Sequence, residues 1–383
     1  MKKTLLAGLM FSLVIFLSAC GKLNFDSGSG STSGTKSSAY QTTGAVTSDM
    51  YQGVIKNGRY QISSARGLTL QQNTQGSNTY NIKSMENGLL NLSKEQFSPQ
   101  KYVFQEGQLL STSVARNWLG RESSSNPDGL NPKDNGKKDP DTRNPIYLQQ
   151  VLEQDYMVDS GDGMKLGGIS IALGLNKVDY YTKTQYGAQF STTISNATLT
   201  EKGEAMAKKV VERLRKMNGV SADTPILIGL YVQAESDSLV GGTFSNYTVA
   251  KSGTNLGTWQ NLNEQNEVLP VVGNNKALNT NVANDFSNFT TQINSFFPTL
   301  AGTTAQVHYV DKELAGMKIT INTQFYGETE IMSFTQYVGT SANKLLPSGV
   351  PIDITIQSVQ GTQAFLSRAN GDKSFYSHIF DSY

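Results

Sequence analysis

The chain has little cysteine and little histidine: one cysteine, Cys20, and two histidines, His308 and His378, among 383 residues. With a single cysteine it cannot close an internal disulfide, so its fold has to rest on packing. The two histidines do not stand at metal-ligand spacing, so the sequence predicts no metal site and no cofactor. A Ser-His-Asp triad is not indicated either, because the chain lacks a Gly-x-Ser-x-Gly turn.

Charge of neither sign predominates, since Lys and Arg number 32 against 31 for Asp and Glu. The sequence also contains no basic stripe. This balance argues against nucleic acid as a partner, because the phosphate backbone is bound by clustered cations. After the first twenty residues no apolar run approaches the length of a membrane span, so we expect the rest of the chain to lie in water.

The first twenty residues have the pattern of a secretory leader. A positively charged start precedes an apolar run over residues 5–17, which is shorter than the about 20 residues of a spanning helix. The run ends in one apolar and two small residues before a cysteine. These are Leu17, Ser18, Ala19 and Cys20.

Lipoprotein signal peptidases recognise this pattern, so we expect cleavage between Ala19 and Cys20 and removal of residues 1–19. The thiolate of Cys20 is the nucleophile that takes up a diacylglyceryl group. Two acyl chains, at about 0.8 kcal/mol per buried methylene, hold a protein on a bilayer where one chain is marginal. The expected partners are therefore the lipoprotein-processing enzymes and the lipid bilayer, and the expected location is the outer face of the cell membrane.

Composition divides the remainder into a tether and a globular region. Residues 20–49 are rich in Gly, Ser and Thr and cannot bury enough apolar surface to offset their ordering entropy, which predicts a flexible tether. Residues 50–383 are long enough for a substantial core, either as one region or as two subdomains over 50–255 and 256–383.

Apolar periodicity predicts an α+β protein. The best-supported helix begins with a capping box of Thr198 and Glu201. Its buried face is predicted to carry Leu199, Gly203, Met206, Val210, Leu214 and Met217. Further helices are predicted over residues 144–156, 283–297 and 329–344. Strands are predicted over residues 169–181, 226–233, 244–249, 305–310, 317–325, 352–358 and 363–368.

Two stretches repeat one order of motifs: strand, Tyr-Gly, helix, a strand led by proline, and a further strand. The Tyr-Gly pairs are Tyr186-Gly187 and Tyr326-Gly327. The repeat predicts two related β-α-β-β units, with helices packed on mixed or antiparallel sheets. Coincidence among common elements is the alternative, because the stretches share few side chains.

Acidic and aromatic residues are the remaining candidates for chemistry. Asp155, Asp159 and Asp162 lack the order of an EF-hand calcium loop, so their segment favours a polar turn after a helix. A cell-envelope hydrolase needs two carboxylates about 5–10 Å apart in a cleft. The glutamates considered for such a pair are Glu95, Glu106, Glu153, Glu328 and Glu330. No catalytic pattern stands out among them, and we expect no enzymatic activity.

Trp118 and Trp259, with many tyrosines, leave a binding function open. A cleft lined by these aromatic side chains favours a surface module for cell-wall glycan or peptide, whereas their complete burial favours a role in packing.

Several segments resemble the CamS family of sex-pheromone precursor lipoproteins from low-GC Gram-positive bacteria. They follow one another from about residue 50 to the C-terminal region, and they are specific as a set. The segments are Ser64-Ala65-Arg66-Gly67-Leu68, Asn87-Gly88-Leu89, Phe97-Ser98-Pro99, Tyr102-Val103-Phe104-Gln105-Glu106-Gly107-Gln108, Asn126-Pro127-Asp128-Gly129-Leu130-Asn131-Pro132, Asn144-Pro145-Ile146-Tyr147, Leu152-Glu153-Gln154-Asp155-Tyr156, Phe325-Tyr326-Gly327 and Phe334-Thr335-Gln336-Tyr337-Val338.

The resemblance implies that the signal peptide is itself functional, because in this family its last residues become a short apolar peptide that other cells sense. By position this peptide is Leu13, Val14, Ile15, Phe16, Leu17, Ser18 and Ala19. A peptide-pheromone receptor is then a further partner, for the released peptide. The resemblance implies no particular reaction for residues 50–383.

Overall fold

The first strand that the structure describes begins at Tyr40, inside the segment predicted as a tether. The computed structural model describes residues 40–44, 47–68, 81–161, 163–297 and 300–381, so the predicted leader, Cys20 and the peptide lie outside the described residues. A three-stranded antiparallel sheet and one helix come first. These are β1 (Tyr40–Thr42), β2 (Val54–Lys56), β3 (Arg59–Tyr60) and α1 (Ile82–Gln96).

The next part, which we call the first unit, forms a six-stranded sheet with two helices and a separate hairpin. In chain order it contains β4 (Val103–Glu106), α2 (Thr112–Leu119), β5 (Leu148–Asp159), β6 (Met164–Asn176), β7 (Val178–Thr182), β8 (Gln189–Thr193), α3 (Asn196–Leu214), β9 (Ile226–Gln233), β10 (Thr243–Ala250) and β11 (Gln260–Asn261). Strands β7 and β8 pair with each other outside the sheet.

The second unit forms another six-stranded sheet with two helices. In chain order it contains β12 (Glu264–Leu269), α4 (Thr280–Phe296), β13 (Leu300–Val310), β14 (Glu313–Thr323), α5 (Glu328–Leu345), β15 (Ile352–Ser358), β16 (Gly361–Arg368) and β17 (Tyr376–Ile379). Since β11 still belongs to the first sheet, the change of sheet falls between Asn261 and Glu264, later than the subdomain boundary predicted after residue 255.

The two units share one topology. Across the sheets the strands run β4-β5-β6-β9-β10-β11 and β12-β13-β14-β15-β16-β17. In both, the third and fourth strands are parallel and every other neighbouring pair is antiparallel. Pro225 and Pro351 hold equivalent places, since their carbonyl oxygens accept the N–H groups of Ile169 at 3.0 Å and Met317 at 3.1 Å. The predicted α+β class with two related β-α-β-β units is confirmed.

The Tyr-Gly pairs are not equivalent, although they prompted the prediction of a repeat. Tyr186 lies in the turn between β7 and β8 with φ of 60° and is 95% exposed. Gly327 instead caps the start of α5. The β7–β8 hairpin is therefore an insertion of the first unit, and the matched spacing of the two pairs is a coincidence.

Most of the other predicted elements are confirmed. Helix α3 buries Leu199, Met206 and Val210 on one face, as its periodicity predicts. Its cap differs, because Ser195 is the N-cap and its hydroxyl accepts the N–H of Thr198 at 3.1 Å. Helices are also present at the places predicted over 283–297 and 329–344. All seven predicted strand segments overlap strands, although the one over 169–181 is divided between β6 and β7.

The helix predicted over residues 144–156 is wrong, because residues 148–159 form β5. Leu148, Val151, Leu152 and Tyr156 are spaced as on a helix face. On the strand they divide between two apolar clusters, one on each face of the first sheet. A strand buried on both faces loses the polar-apolar alternation that distinguishes it from a helix. The turn containing Asp159 accordingly closes a β-hairpin and does not follow a helix.

Helices cover both faces of the first sheet. On one face α2 and α3 pack on a cluster of Ile, Leu and Val from β5, β6 and β9. On the other face α1 contributes Met85 and Leu89 to a cluster with Leu152, Leu227 and Tyr231. In the second unit, α4 and α5 bury a separate cluster on one face of the sheet. Each large apolar side chain so buried contributes about 1.5–3 kcal/mol.

The contact between α1 and the first sheet depends on two glycines and one phenylalanine. The ring of Phe244 is 1% exposed. A Cβ atom placed on Gly88 of α1 would lie 2.6 Å from Phe244 Cε2, and one placed on Gly229 of β9 would lie 2.7 Å from Cε1. The ring therefore occupies space that any larger residue at either position would need.

We expect Gly229→Ala to destabilise the protein by about 1–3 kcal/mol, because the added methyl overpacks the core against Phe244. Gly316→Ala is the matched control on β14, since its Cβ would make only ordinary contacts of 3.7 Å with Pro351. In a strand interior that change removes backbone freedom from the unfolded chain and should be neutral or stabilising. Urea unfolding measures both effects, and equal losses in the two variants would contradict this packing account.

Candidate functional site

A cavity of about 300 Å³ lies between α1, the β4–β5 edge of the first sheet and the chain from Tyr60 to Arg66. This is the lower end of the range for small-molecule sites. Its charged lining consists of Glu86, Glu106, Glu153, Arg66 and Lys83. Its apolar lining consists of Leu90, Phe104 and Leu152. The cavity is therefore amphipathic.

Helix α1 presents one stripe of residues to this cavity. Lys83, Glu86, Asn87 and Leu90 stand three or four residues apart, so they share a face of the helix. The side chain of Asn81 caps the helix by accepting the N–H of Ser84 at 3.0 Å. Met85 and Leu89 lie on another face of α1 and are buried against the sheet. Their burial fixes the rotation of the helix, so that the stripe from Lys83 to Leu90 faces the cavity.

Arg66 joins the carboxylates on the two sides of the cavity. Its Nε and Nη2 donate to the two carboxylate oxygens of Glu86 at 2.6 and 3.0 Å, a bidentate pairing. Its Nε also lies 3.8 Å from Glu106 Oε1. The carboxylate of Glu106 further accepts the hydroxyl of Tyr60 at 3.2 Å and the N–H of Ser63 at 2.8 Å. Arg66 thus links α1 to the edge strand β4 through its ion pairs with Glu86 and Glu106.

Glu153 on β5 is 4% exposed and is held by backbone amides. Its two carboxylate oxygens accept the N–H groups of Leu109 at 2.9 Å and Leu110 at 2.7 Å. Gly107 makes this possible, since a Cβ there would lie 2.3 Å from Glu153 Cγ. Burial raises the pKa of the Glu153 carboxyl, and the two N–H donors oppose that shift.

Asp155 lies two residues further along β5, on the same face of the strand, and is 3% exposed. Its Oδ2 accepts the N–H of Gln108 at 2.9 Å, while its Oδ1 has no hydrogen-bond partner among the described residues. Burial and then the charge of Glu153 raise the pKa of Asp155 well above its ordinary value. Two buried carboxylates side by side repel each other, so the pair favours one retained proton, which would let Asp155 donate to Glu153.

Of the glutamates named from the sequence, the structure brings Glu106 and Glu153 together. Glu95 instead accepts the hydroxyl of Tyr247 at 3.2 Å, near the C-terminal end of α1. Glu328 and Glu330 lie in the first turn of α5, in the second unit, where they complement the helix dipole.

The tryptophans do not line the cavity. Trp118 is 2% exposed, and Trp259 is half-buried against the same cluster. His308 Nδ1 donates a hydrogen bond of 2.8 Å to Asn266 Oδ1, and His378 is exposed on β17. The aromatic residues of the cavity are Tyr60 and Phe104. Binding by a tryptophan-lined cleft is therefore not supported.

Sequence reasoning missed Arg66, Lys83 and Glu86 as site residues. The spacing from Lys83 to Leu90 was a usable signal, because it places charged and apolar residues on a single helix face. The contact of Arg66 with Glu106 had no signal in the sequence, since it joins distant segments.

In the described part of the chain no helix is long and apolar enough to cross a bilayer. Within those same residues, no group of three or more His, Cys, Asp or Glu side chains is arranged to hold a metal ion.

The difference in unfolding free energy between Asp155→Asn and the wild type should grow as pH rises. Above about pH 4 the unfolded Asp155 loses its proton while the folded one keeps it, so wild-type stability falls with pH by up to about 1.4 kcal/mol per unit. Asparagine cannot ionise, and its amide still accepts from Gln108 and donates to Glu153. The unfolding free energy of the variant minus that of the wild type, from urea melts at pH 4–8, should therefore increase with pH.

Asp159→Asn removes an exposed carboxyl at the end of the same strand and controls for the loss of one charge. Parallel stability curves for the wild type and Asp155→Asn would rule out a retained proton in the buried pair.

Comparison with known proteins places most of the chain in one family. The family model described as CamS sex pheromone cAM373 precursor matches residues 60–374. None of the curated proteins matches the chain.

Solved structures of two precursors are among those similar to the chain. A sex pheromone precursor from Lactobacillus salivarius subsp. salivarius UCC118 is 49% identical with a TM-score of 0.84, over 90% of this chain and 100% of that one. The C-terminal domain of the sex pheromone staph-cAM373 precursor from Staphylococcus aureus is 30% identical with a TM-score of 0.69, over 82% of this chain and 99% of that one. The chain therefore belongs to the CamS family of sex pheromone precursors.

Proposed function

We propose that the chain is a surface lipoprotein precursor whose leader becomes a signalling peptide. Cleavage between Ala19 and Cys20 separates the two products. The upstream product is trimmed to residues 13–19, and the downstream product stays on the outer face of the membrane through acyl chains on Cys20. The observation that carries this proposal is the Leu17-Ser18-Ala19-Cys20 site at the start of a chain of the CamS family.

The position of the first strand supports a lipid anchor. β1 begins at Tyr40, and the residues between it and Cys20 are mostly Gly, Ser and other polar residues. A chain of that length reaches at most about 70 Å when fully extended, which is ample to hold the folded part clear of lipid headgroups. The folded part also contains no cysteine that could compete for lipidation.

The composition of residues 13–19 supports a released signal. The segment has no charged side chain and contains Leu13, Val14, Ile15, Phe16 and Leu17. Such a peptide partitions readily into membranes and fits an apolar cleft of the kind that a peptide-pheromone receptor or uptake protein needs.

We further propose that the folded part binds a ligand and catalyses no reaction. The cavity beside α1 supports this, because each of its carboxylates already accepts hydrogen bonds from Arg66, Ser63 or the backbone. A carboxylate held in this way is poorly placed to transfer a proton or to attack a substrate. Turnover of a ligand offered to the protein would contradict this part of the proposal. A cell-wall peptide remains a candidate ligand, while the buried Trp118 weakens the case for glycan stacking.

Labelling with a clickable fatty acid tests the anchor. The wild-type chain should carry the label and sediment with membranes, whereas Cys20→Ala should lose the label because no other thiol is present. Ser18→Gly keeps a small residue in the cleavage site and serves as the control that retains label. Label in Cys20→Ala would remove the basis for the anchor.

Mass spectrometry of the culture medium tests the released peptide. An expressing strain should yield residues 13–19 or a trimmed form that ends at Ala19. Phe16→Tyr should shift the mass of that peptide by one oxygen, which proves its origin in this leader. If the mature protein accumulates while no such peptide is found, the signalling role is wrong.

A further inference from the structure

Some polar groups of the cavity already have hydrogen-bond or ion-pair partners within the protein, and others do not. Its carboxylates are bound to Arg66, Tyr60 and backbone N–H groups. Within the described residues, Lys83 Nζ and the side-chain amide of Asn87 have no ion pair or hydrogen bond. These two groups stand one turn apart on α1, so a single ligand group can contact both.

The start of α1 favours a negatively charged ligand group at Lys83. Residues 82–84 form the first turn, which contains no acidic side chain. The unpaired N–H groups of a helix start and the ammonium of Lys83 act in the same direction on a nearby anion. Asn87 adds a hydrogen-bond donor below them.

The opposite wall favours a positively charged ligand group. Three carboxylates and two cations line the cavity, which leaves one carboxylate in excess. Glu106 Oε1 is the most available, because its ion pair with Arg66 is long at 3.8 Å and its hydrogen bond from Tyr60 is 3.2 Å. An ammonium group can bind this oxygen without displacing the shorter bond from Ser63 to the other oxygen.

The cavity that contains Lys83 and Glu106 also has an apolar surface. Leu90, Phe104 and Leu152 line the same cavity and leave an apolar side chain in contact with carbon atoms. A volume of about 300 Å³ restricts the occupant to roughly one or two amino-acid residues.

We propose that the cavity binds a short apolar peptide with free ends, its carboxylate on Lys83 and Asn87 and its ammonium on Glu106. A ligand with only a negative end meets the excess carboxylate, and one with only a positive end leaves Lys83 unused. A zwitterion satisfies both walls and is neutral overall. This inference rests on the proposed binding role of the folded part and is independent of lipidation and of peptide release.

Isothermal titration of the mature protein with the dipeptide Leu-Ala tests the assignment. Amidation of the carboxyl end and acetylation of the amino end should each weaken binding by about tenfold or more, because each removes a charge-assisted hydrogen bond. Lys83→Met should lose the preference for the free carboxylate over the amide and keep the preference for the free amine. Glu106→Gln should show the reverse pattern.

Lys94→Met and Glu95→Gln, near the other end of α1 and away from the cavity lining, are the matched controls and should bind as the wild type does. Thermal melting of every variant shows whether it is folded. Lys83 is exposed, so its variant keeps the test valid even if Glu106→Gln unfolds.

Two further ligands distinguish the source of such a peptide. Tighter binding of the dipeptide Ser-Ala, which is the carboxyl end of the peptide over residues 13–19, indicates a ligand from the leader, and tighter binding of D-Ala-D-Ala indicates one from the cell wall. Recovery of the ligand unchanged by mass spectrometry agrees with binding alone. Absence of dipeptide binding at millimolar concentration, or equal binding of the free and blocked dipeptides, would overturn the proposal. The labelling result for Cys20→Ala stands in either case.

Discussion

The parallel pairing of two strands at the centre of each sheet is the constraint on which the rest of the fold depends. Strands β6 and β9, and likewise β14 and β15, run in the same direction, so a hairpin cannot join them. The chain has to cross over, and it does so through α3 in one unit and α5 in the other. Each crossover helix then buries one face of its sheet. Antiparallel strands on both sides of the central pair complete the two equivalent sheets.

The two units differ on the sheet face that the crossover helix does not bury. In the first unit α1 arrives from outside the repeat and is held against the sheet by the ring of Phe244 between two glycines. Close contact at that point leaves the β4–β5 edge incompletely covered. The cavity forms there, and the polar stripe of α1 becomes one of its walls. Arg66 bridges Glu86 and Glu106 across the cavity. This ion-pair network therefore both links α1 to β4 and shapes the site.

Local periodicity was enough to predict α3, α5 and the strands at the centre of both sheets, because each has one dominant apolar pattern. It failed for β5, where burial of both faces produced a helix-like spacing. The same strand buries Glu153 and Asp155, whose carboxyl oxygens accept hydrogen bonds from backbone N–H groups. The cavity could not be predicted, since Arg66, Lys83 and Glu106 come from three separate segments. The resemblance to the family rests on short segments of sequence. Those segments do not reveal which of them contact one another in the folded protein.

We propose that the folded part is a receptor for a small zwitterionic ligand, joined before processing to a leader that yields a signalling peptide. The buried pair of Glu153 and Asp155 supports the back of that site, and the acids nearer the cavity are held by Arg66. A crystal structure of the mature protein grown with Leu-Ala tests this most directly. We expect the dipeptide between α1 and β4, with its carboxylate within hydrogen-bond distance of Lys83 Nζ and its ammonium at Glu106. An empty cavity with the dipeptide bound elsewhere, or a dipeptide bound in the opposite orientation, would contradict it.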